Sequence, residues 1–199
     1  MNPLLQRAAY VIRDEKVAKL LVDPMRRTIL NLLADNAYTQ SQMADIVGLT
    51  DASVGHHLGI LAEANLIRIV RREEGAHGIM QNFYRSVALC IVVDTEHMSK
   101  SVSKYFFPIH IERIRGAMAA LSLGKNNRSN SLKVGSHDLE SIAEKLAVSI
   151  AREARKIAAK RVSSDRETVT ITVYRRALKE TMRQEGVNEK YMSEAATPD

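Results

Sequence analysis

The stretch from Thr39 to Leu66 carries the side chains best suited to specific chemistry in this sequence. Ser53 and His56 place hydrogen-bond donors and acceptors on one face of a predicted helix, and Ala52 beside them offers a methyl group. Polar side chains on an exposed helix read base edges in a DNA major groove, and a methyl group can meet that of thymine. The stretch therefore predicts nucleic-acid recognition.

Further candidate contacts flank this face. Hydroxyls and backbone N–H groups at a helix start suit a phosphate oxygen, and basic side chains on a hairpin can follow the phosphate backbone towards the minor groove. The predicted DNA-contacting residues are Thr39, Gln40, Ser41, Thr50, Ala52, Ser53, His56, Arg71, Arg72 and His77. Asp51 is unfavourable beside phosphates, so we expect it to support the helix start. His57 follows Val54 by three positions, which predicts a partly buried, hydrogen-bonded core histidine.

Two short helices joined by a tight turn must position these side chains. Thr39 and Gln42 have the spacing of a capping box, and Thr50 caps the second helix. Gly48 and Asn65 are residues that tolerate the left-handed conformation of a helix stop. Helical spacing predicts a core-facing side made of Met43, Ala44, Ile46 and Val47 in the first helix and Val54, Leu58, Leu61 and Ala62 in the second.

A hairpin is expected after the helix pair. Residues 66–71 are rich in β-branched side chains, EEGAHG forms a turn, and residues 82–94 (NFYRSVALCIVVD) follow as one longer strand. The charged, glycine-flanked tip makes this hairpin a candidate wing beside the second helix.

The segments DPMRRTILNLLAD, TQSQMADIVGLTDASVGHHLGILAEANLI and NFYR together resemble the winged helix-turn-helix of ArsR-type transcription regulators. The resemblance covers roughly residues 18–88, and Asn65 departs from it because glycine is common there in the family. It implies a homodimer that binds double-stranded DNA. The remainder resembles archaeal members with a helical C-terminal extension. Relatives in this family that bind metals use cysteine pairs or Asp/His pairs on helices, which leaves a metal-responsive regulator as an alternative.

The N-terminal region is expected to be helical. Asn2 followed by Pro3 is a typical helix start, and apolar residues from Leu4 to Ile12 recur at amphipathic spacing. A further turn carries Val17, Leu20 and Leu21. Asp23-Pro24 then begins the helix MRRTILNLLAD.

The C-terminal half is predicted to be helical as well. Pro108 should break the pattern of residues 95–123 near Phe107, and Ser136 should cap a helix to about Arg161. Residues 165–185 alternate like a strand at ETVTITVY, but the Ser164–Glu167 capping box and the stripe Ile171, Tyr174, Leu178 and Met182 favour a helix. In the helix from Ser136, the alanine-flanked stripe favours dimerisation through a partner helix. Met98, Tyr105, Phe106, Phe107 and Met118 are candidates for an apolar effector pocket, with core packing as the alternative.

The totals agree with an ordinary soluble protein. Hydrophobic residues make up 45% and charged residues 26% of the 199 positions, and the net charge of +6 favours a polyanionic partner. Cys90 is the only cysteine, which fits a reducing compartment. The N-terminus does not resemble a signal peptide and the longest apolar run cannot span a bilayer, so we expect a cytoplasmic protein.

Enzyme functions are disfavoured, because the sequence has no glycine-rich phosphate loop and no nucleophile elbow. Cys90, Asp94, His97 and His110 form no compact set of metal ligands, and no cofactor is expected. We predict a mainly α fold with a small β-hairpin wing (α+β): residues 1–90 form a winged helix-turn-helix domain and residues 91–199 a helical dimerisation and effector region. The alternative from another class is a winged-helix adaptor that binds protein.

Overall fold

The computed structural model describes residues 6–75, 78–123, 136–160 and 165–184, with side chains described only outside 117–138. Within these ranges the elements follow one another along the chain with short connections. They are β1 (Arg7–Ile12), α1 (Glu15–Leu20), α2 (Pro24–Asp35), α3 (Gln40–Val47), α4 (Asp51–Glu63), β2 (Ile67–Glu74), β3 (Met80–Ser86), β4 (Ala88–Val93), a 3-10 turn (Thr95–His97), α5 (Lys100–Ser103), α6 (Phe107–Leu123), α7 (Ser136–Ile157) and α8 (Arg166–Gln184). The predicted class, mainly helical with a small hairpin, is confirmed.

The helix boundaries around the central pair are where capping chemistry predicts them. Thr39 accepts from the Gln42 N–H, and the Gln42 side chain accepts from the Thr39 N–H, so the capping box is complete. Gly48 has a φ of 68°, and Asn65 a φ of 56°. Thr50 caps α4 by accepting from the Ser53 N–H. The predictions at these four helix ends are therefore confirmed.

The predicted core-facing sides of α3 and α4 are buried at their central positions but not throughout. Met43 and Ala44 are buried in α3, and Val54, Leu58 and Leu61 in α4. Ile46, however, is 51% exposed, and Ala62 is exposed too. Both predictions of burial were wrong, because at each position the helix has turned beyond the surface that α2 and the hairpin cover.

The hairpin strands differ from the prediction in opposite ways: β2 is longer and includes Glu73 and Glu74 of the expected turn, whereas the second strand is shorter. β2 and β3 pair antiparallel, with Ile67 opposite Ser86 and Glu74 opposite Met80, and a register irregularity lies between Ile69 and Arg71. The predicted long strand 82–94 is in fact two strands. The extended segment is interrupted between Ser86 and Ala88, and β4 belongs to a different sheet from the hairpin.

The segment predicted as an N-terminal helix is a strand, at least from Arg7. β1 pairs parallel with β4, with Arg7 opposite Ala88 and Ile12 opposite Val93. Residues 1–5 lie outside the described residues. The helix prediction was wrong because Ala8 and Ala9 are both buried. A strand covered on both faces lacks the alternation that marks a half-buried strand.

This two-stranded sheet lies between two cores. Ile12, Tyr10, Ile91 and Val93 pack on the core of α2, α3 and α4. On the other side, Ala8, Ala9, Leu89, Cys90 and Val92 pack with α7 and α8. The sheet thus joins the helix-turn-helix half to the C-terminal helices, and the division at residue 90 stays a prediction.

The helix predicted over 165–185 is confirmed, but its buried side differs from the predicted stripe. Val169, Val173, Ala177 and Thr181 are buried, while Ile171 is 54% exposed. Asp165 caps the helix by accepting from the Thr168 N–H, and the predicted cap Ser164 lies outside the described residues.

The alanine-flanked stripe of α7 already has its partner helix within the same chain. Ala143, Ala147, Ala151 and Ala154 are buried, and they belong to the side of α7 that packs on α8, β1 and β4. The stripe therefore does not by itself require a second copy of the protein.

A buried carboxylate ties the end of the sheet to α7. Asp94 is fully buried, and its Oδ2 accepts from Arg13 Nε (3.1 Å) and Arg155 Nη1 and lies 3.1 Å from His97 Nδ1. Asp94 Oδ1 has no hydrogen-bond partner in the described part of the chain. The cluster fixes the ends of β1 and β4 against α7.

Candidate nucleic-acid interface

The N-terminal turns of α3 and α4 are hydrogen-bonded to each other. Ser41 Oγ donates to Asp51 Oδ2 (2.7 Å), and Gln40 Nε2 donates to the Asp51 carbonyl (2.8 Å). Asp51 therefore supports the start of α4, as predicted. These bonds set the angle between the two helices, so Gln40 and Ser41 position α4 before any partner is bound.

The hydroxyls of Thr39 and Thr50 are likewise engaged in capping, and Thr39 is only 5% exposed. A phosphate at this end would meet main-chain donors, since the N–H groups of Gln40 and Ser41 have no acceptor within the helix. Both lie at the positive end of the α3 dipole.

The exposed start of α4 carries the predicted reading residues. Ala52 and His56 are exposed and Ser53 is half-buried, all on the side away from Leu58 and Leu61. Among the described residues, His56 has no hydrogen-bond partner, so its imidazole is available to a ligand.

His57 lies on the other side of the helix, as predicted, with 15% of its side chain exposed and its Nδ1 3.8 Å from Asp23 Oδ2. The predicted hydrogen bond is absent in the described part of the chain, where the buried Nδ1 has no partner.

The exposed face of α4 continues beyond the predicted residues to Gly59 and Ala62. Sequence reasoning missed Gly59. A Cβ at Gly55 would lie 2.8 Å from Gln40 Nε2, so a larger residue there would displace the Gln40 side chain that donates to the Asp51 carbonyl. A Cβ at Gly59 would meet nothing within 4 Å, so the fold does not explain the helix-weakening residue there. A glycine lets a large partner approach the helix backbone closely.

We expect Gly59→Ala to raise the free energy of unfolding by about 1 kcal/mol, since alanine is the better helix former and no contact is disturbed. If α4 approaches DNA at this position, the same change weakens DNA binding although it stabilises the fold. Gly116→Ala in α6 is the matched control, because its Cβ also meets nothing within 4 Å. Thermal unfolding and fluorescence anisotropy measure the two effects. Equal DNA affinities for both variants would contradict the close approach.

On the hairpin, the two predicted arginines have different surroundings. The Arg71 guanidinium stacks on the Phe83 ring (3.9 Å to the centroid), and its Nε lies 2.8 Å from Glu73 Oε1. Arg72 is exposed and has no ion-pair partner among the described residues. Arg72 is therefore the more available cation, and His77 lies outside the described residues.

A second arginine pair was not predicted. Arg68 and Arg85 are directly opposite each other across the hairpin. Burial, and then the charge of Arg68, lower the pKa of Arg85. Like charges at opposed strand positions repel each other, so a polyanion on this surface would relieve the repulsion. Arg68 also lines a groove with Gly55, Gly59 and Ala62 of α4. The pairing register, which places these two arginines together, was not available from the sequence.

The other predicted sites are dispersed. Phe106 is buried, Tyr105 is 53% exposed and Met98 packs on the first core, while the side chain of Met118 lies outside the described residues. Among the described residues no three of His, Cys, Asp and Glu lie close enough together to hold a metal ion.

None of the described helices combines the length and the apolar character needed to cross a membrane. A comparison with curated proteins gave no match. Residues 23–68 match the family model described as bacterial regulatory protein, arsR family. The match spans α2, the helix pair and the first residues of β2, and it supports a DNA-binding transcriptional regulator.

Proposed function

We propose that the protein is a sequence-specific transcriptional regulator, a repressor acting as a homodimer in the cytoplasm. The observation that carries the proposal is the small, polar, exposed start of α4 beside the arginine-bearing hairpin, within the segment that matches the regulator family. In this mode α4 enters the major groove, and the hairpin acts as the wing on the phosphate backbone and minor groove.

The contacts divide into two classes. Ser53 and His56 meet base edges and Ala52 can meet a thymine methyl, so these residues discriminate between sequences. The N–H groups of Gln40 and Ser41, together with Arg72, meet phosphates and bind all sequences alike.

One short helix reads only a few base pairs, which favours a dimer that presents two α4 helices to half-sites about 34 Å apart. Because α8 already covers the alanine stripe of α7, we place the contact on the outer face of α8, where Ile171 is 54% exposed. Ile171→Glu should shift the sedimentation coefficient to that of a monomer. The control Arg176→Glu, exposed on α8 but five positions from Ile171 and so turned away from that face, should leave it unchanged.

The proposal is tested by selecting genomic fragments that bind the full chain, at several salt concentrations. We expect preferred fragments with imperfect two-fold symmetry and an affinity that falls steeply with salt, because phosphate contacts release counterions. No preferred fragment and a flat salt dependence would overturn the proposal and favour the adaptor that binds protein.

Arg72→Gln should weaken binding to all fragments alike and reduce the slope of log K against log salt by about 1, the change expected for one phosphate contact. Arg176→Gln on α8 removes the same charge from an exposed position away from the interface. Filter binding at graded salt measures both slopes. Equal slopes for the two variants would show that the effect is one of net charge alone.

A further inference from the structure

A cavity of about 250 Å³ lies where the helix-turn-helix half meets the C-terminal helices. Its walls come from α2, β4, α6 and α8, so residues of both cores line it. A cavity between two packed units is a common place for a small ligand, and this volume is slightly below that of typical drug-sized sites. It therefore suits a small molecule.

The charges around the cavity have one sign. Arg27, Arg113 and Arg166 line it, and no Asp or Glu is among its described lining residues. Arg27 donates to the carbonyls of Leu21 and Val22. Arg166 Nε pairs with Asp35, 2.8 Å away. The site is thus electropositive before a ligand binds.

Among the three arginines that line the cavity, Arg113 is the one with neither a hydrogen-bond acceptor nor an ion-pair partner in the described part of the chain. Its guanidinium lies over the Tyr174 ring, 4.5 Å from the centroid. Arg113 is exposed to solvent, yet the surrounding protein desolvates its guanidinium enough to lower its pKa, and a guanidinium stays charged in proteins. A bound anion would compensate the partly desolvated charge, and a planar guanidinium can hold a carboxylate through two parallel hydrogen bonds.

His110 adds an unused polar atom to the same wall. Its Nδ1 is buried and has no hydrogen-bond partner among the described residues, and its ring lies 6.5 Å from that of Tyr174. Burial, aided by the charge of Arg113, lowers the pKa of His110 to about 4. The imidazole is therefore neutral near pH 7 and offers one donor and one acceptor.

The rest of the wall is largely apolar, with Leu30, Ala34, Val92 and Phe106 among its residues. We propose that this cavity binds a small organic anion, with its carboxylate on Arg113, a polar contact to His110 and its apolar body between α2 and β4.

The proposed regulatory consequence rests on the proposed function. α2 packs under the helix pair, and the Arg166–Asp35 ion pair connects α8 to the end of α2. A ligand between them would change how α2 sits against α8, and in a dimer this would change the spacing of the two α4 helices. Such coupling requires only that the ligand prefers one arrangement.

Calorimetric titration of the full chain with benzoate and phenylacetate tests the site without DNA. We expect saturable binding of at least one acid at millimolar concentration and none of benzylamine, which has an aromatic ring but the opposite charge. Arg113→Gln should weaken binding at least tenfold. Arg115→Gln is the matched control, because Arg115 is on the same helix, pairs with Glu112 and does not line the cavity.

Cys90 locates the bound molecule, since it lines the cavity and is the only cysteine of the chain. The bound acid should slow alkylation of Cys90 by iodoacetamide in the wild type and in Arg115→Gln, but not in Arg113→Gln. Binding of neither acid, equal binding of benzylamine, or unchanged affinity in Arg113→Gln would overturn the site. If the acid binds with Cys90 protected and DNA affinity is unchanged, the coupling alone is overturned.

Discussion

Arg155→Met should lower the free energy of unfolding by about 3 kcal/mol, the cost of leaving a buried charge without its partner. Asp94 is completely buried, and Arg155, 28% exposed, is less solvent-exposed than Arg13, the other arginine that contacts this carboxylate. Without Arg155, Arg13 and His97 remain, and the side chains of both are about half exposed. Denaturant unfolding at equilibrium measures the decrease.

Arg115→Met on α6 is the control, because Arg115 and its ion-pair partner Glu112 are both exposed, and the expected change is within about 0.5 kcal/mol, as for most surface substitutions. A double-mutant cycle that combines Arg155→Met with Asp94→Asn isolates the interaction between these two side chains. We expect a coupling energy above about 1 kcal/mol. Simple additivity of the two single changes would show that the cluster does not hold the sheet to α7.

Combined replacement of Ser53 and His56 by alanine should remove most of the discrimination between sites, by about 1–3 kcal/mol for each base edge that is no longer read. Binding to non-specific DNA should change little, because the phosphate contacts of the α3 start and the wing remain. The measurement is the ratio of affinities for a selected fragment and for a scrambled one, at fixed salt.

His57→Ala distinguishes an effect on base recognition from an effect on folding, because His57 lies beside Asp23 on the inner side of α4. We expect it to lower stability and to leave the affinity ratio unchanged. A Ser53/His56 variant with an unchanged ratio would mean that the wing, or the shape of the DNA, carries the specificity.

The local part of this fold could be read directly from the residues. Thr39 with Gln42, Gly48, Thr50 and Asn65 determine helix ends through contacts within a few positions. Such signals involve neighbours in the chain, so a single sequence contains them completely.

The failures concern partners that are distant in the chain. The segment 7–12 is a strand because it pairs with β4, about 80 residues later. The alanines of α7 are buried because α8 packs on them. In the candidate interface, the sequence indicated Ser53 and His56, but the hairpin register was needed to bring Arg68 and Arg85 together.

The parallel pairing of β1 with β4 has a consequence for the order of events during synthesis. β1 also forms a backbone hydrogen bond with a residue much later in the chain, since the Ala8 N–H donates to the Lys160 carbonyl (2.8 Å). At roughly 5–20 residues per second, the nascent strand waits on the order of ten seconds for residue 160. During this interval its apolar side chains are unprotected, and the helix pair, whose contacts are local, can fold ahead of the sheet. Residues 7–12 thus reach their final place only after the chain has been extended to about residue 160.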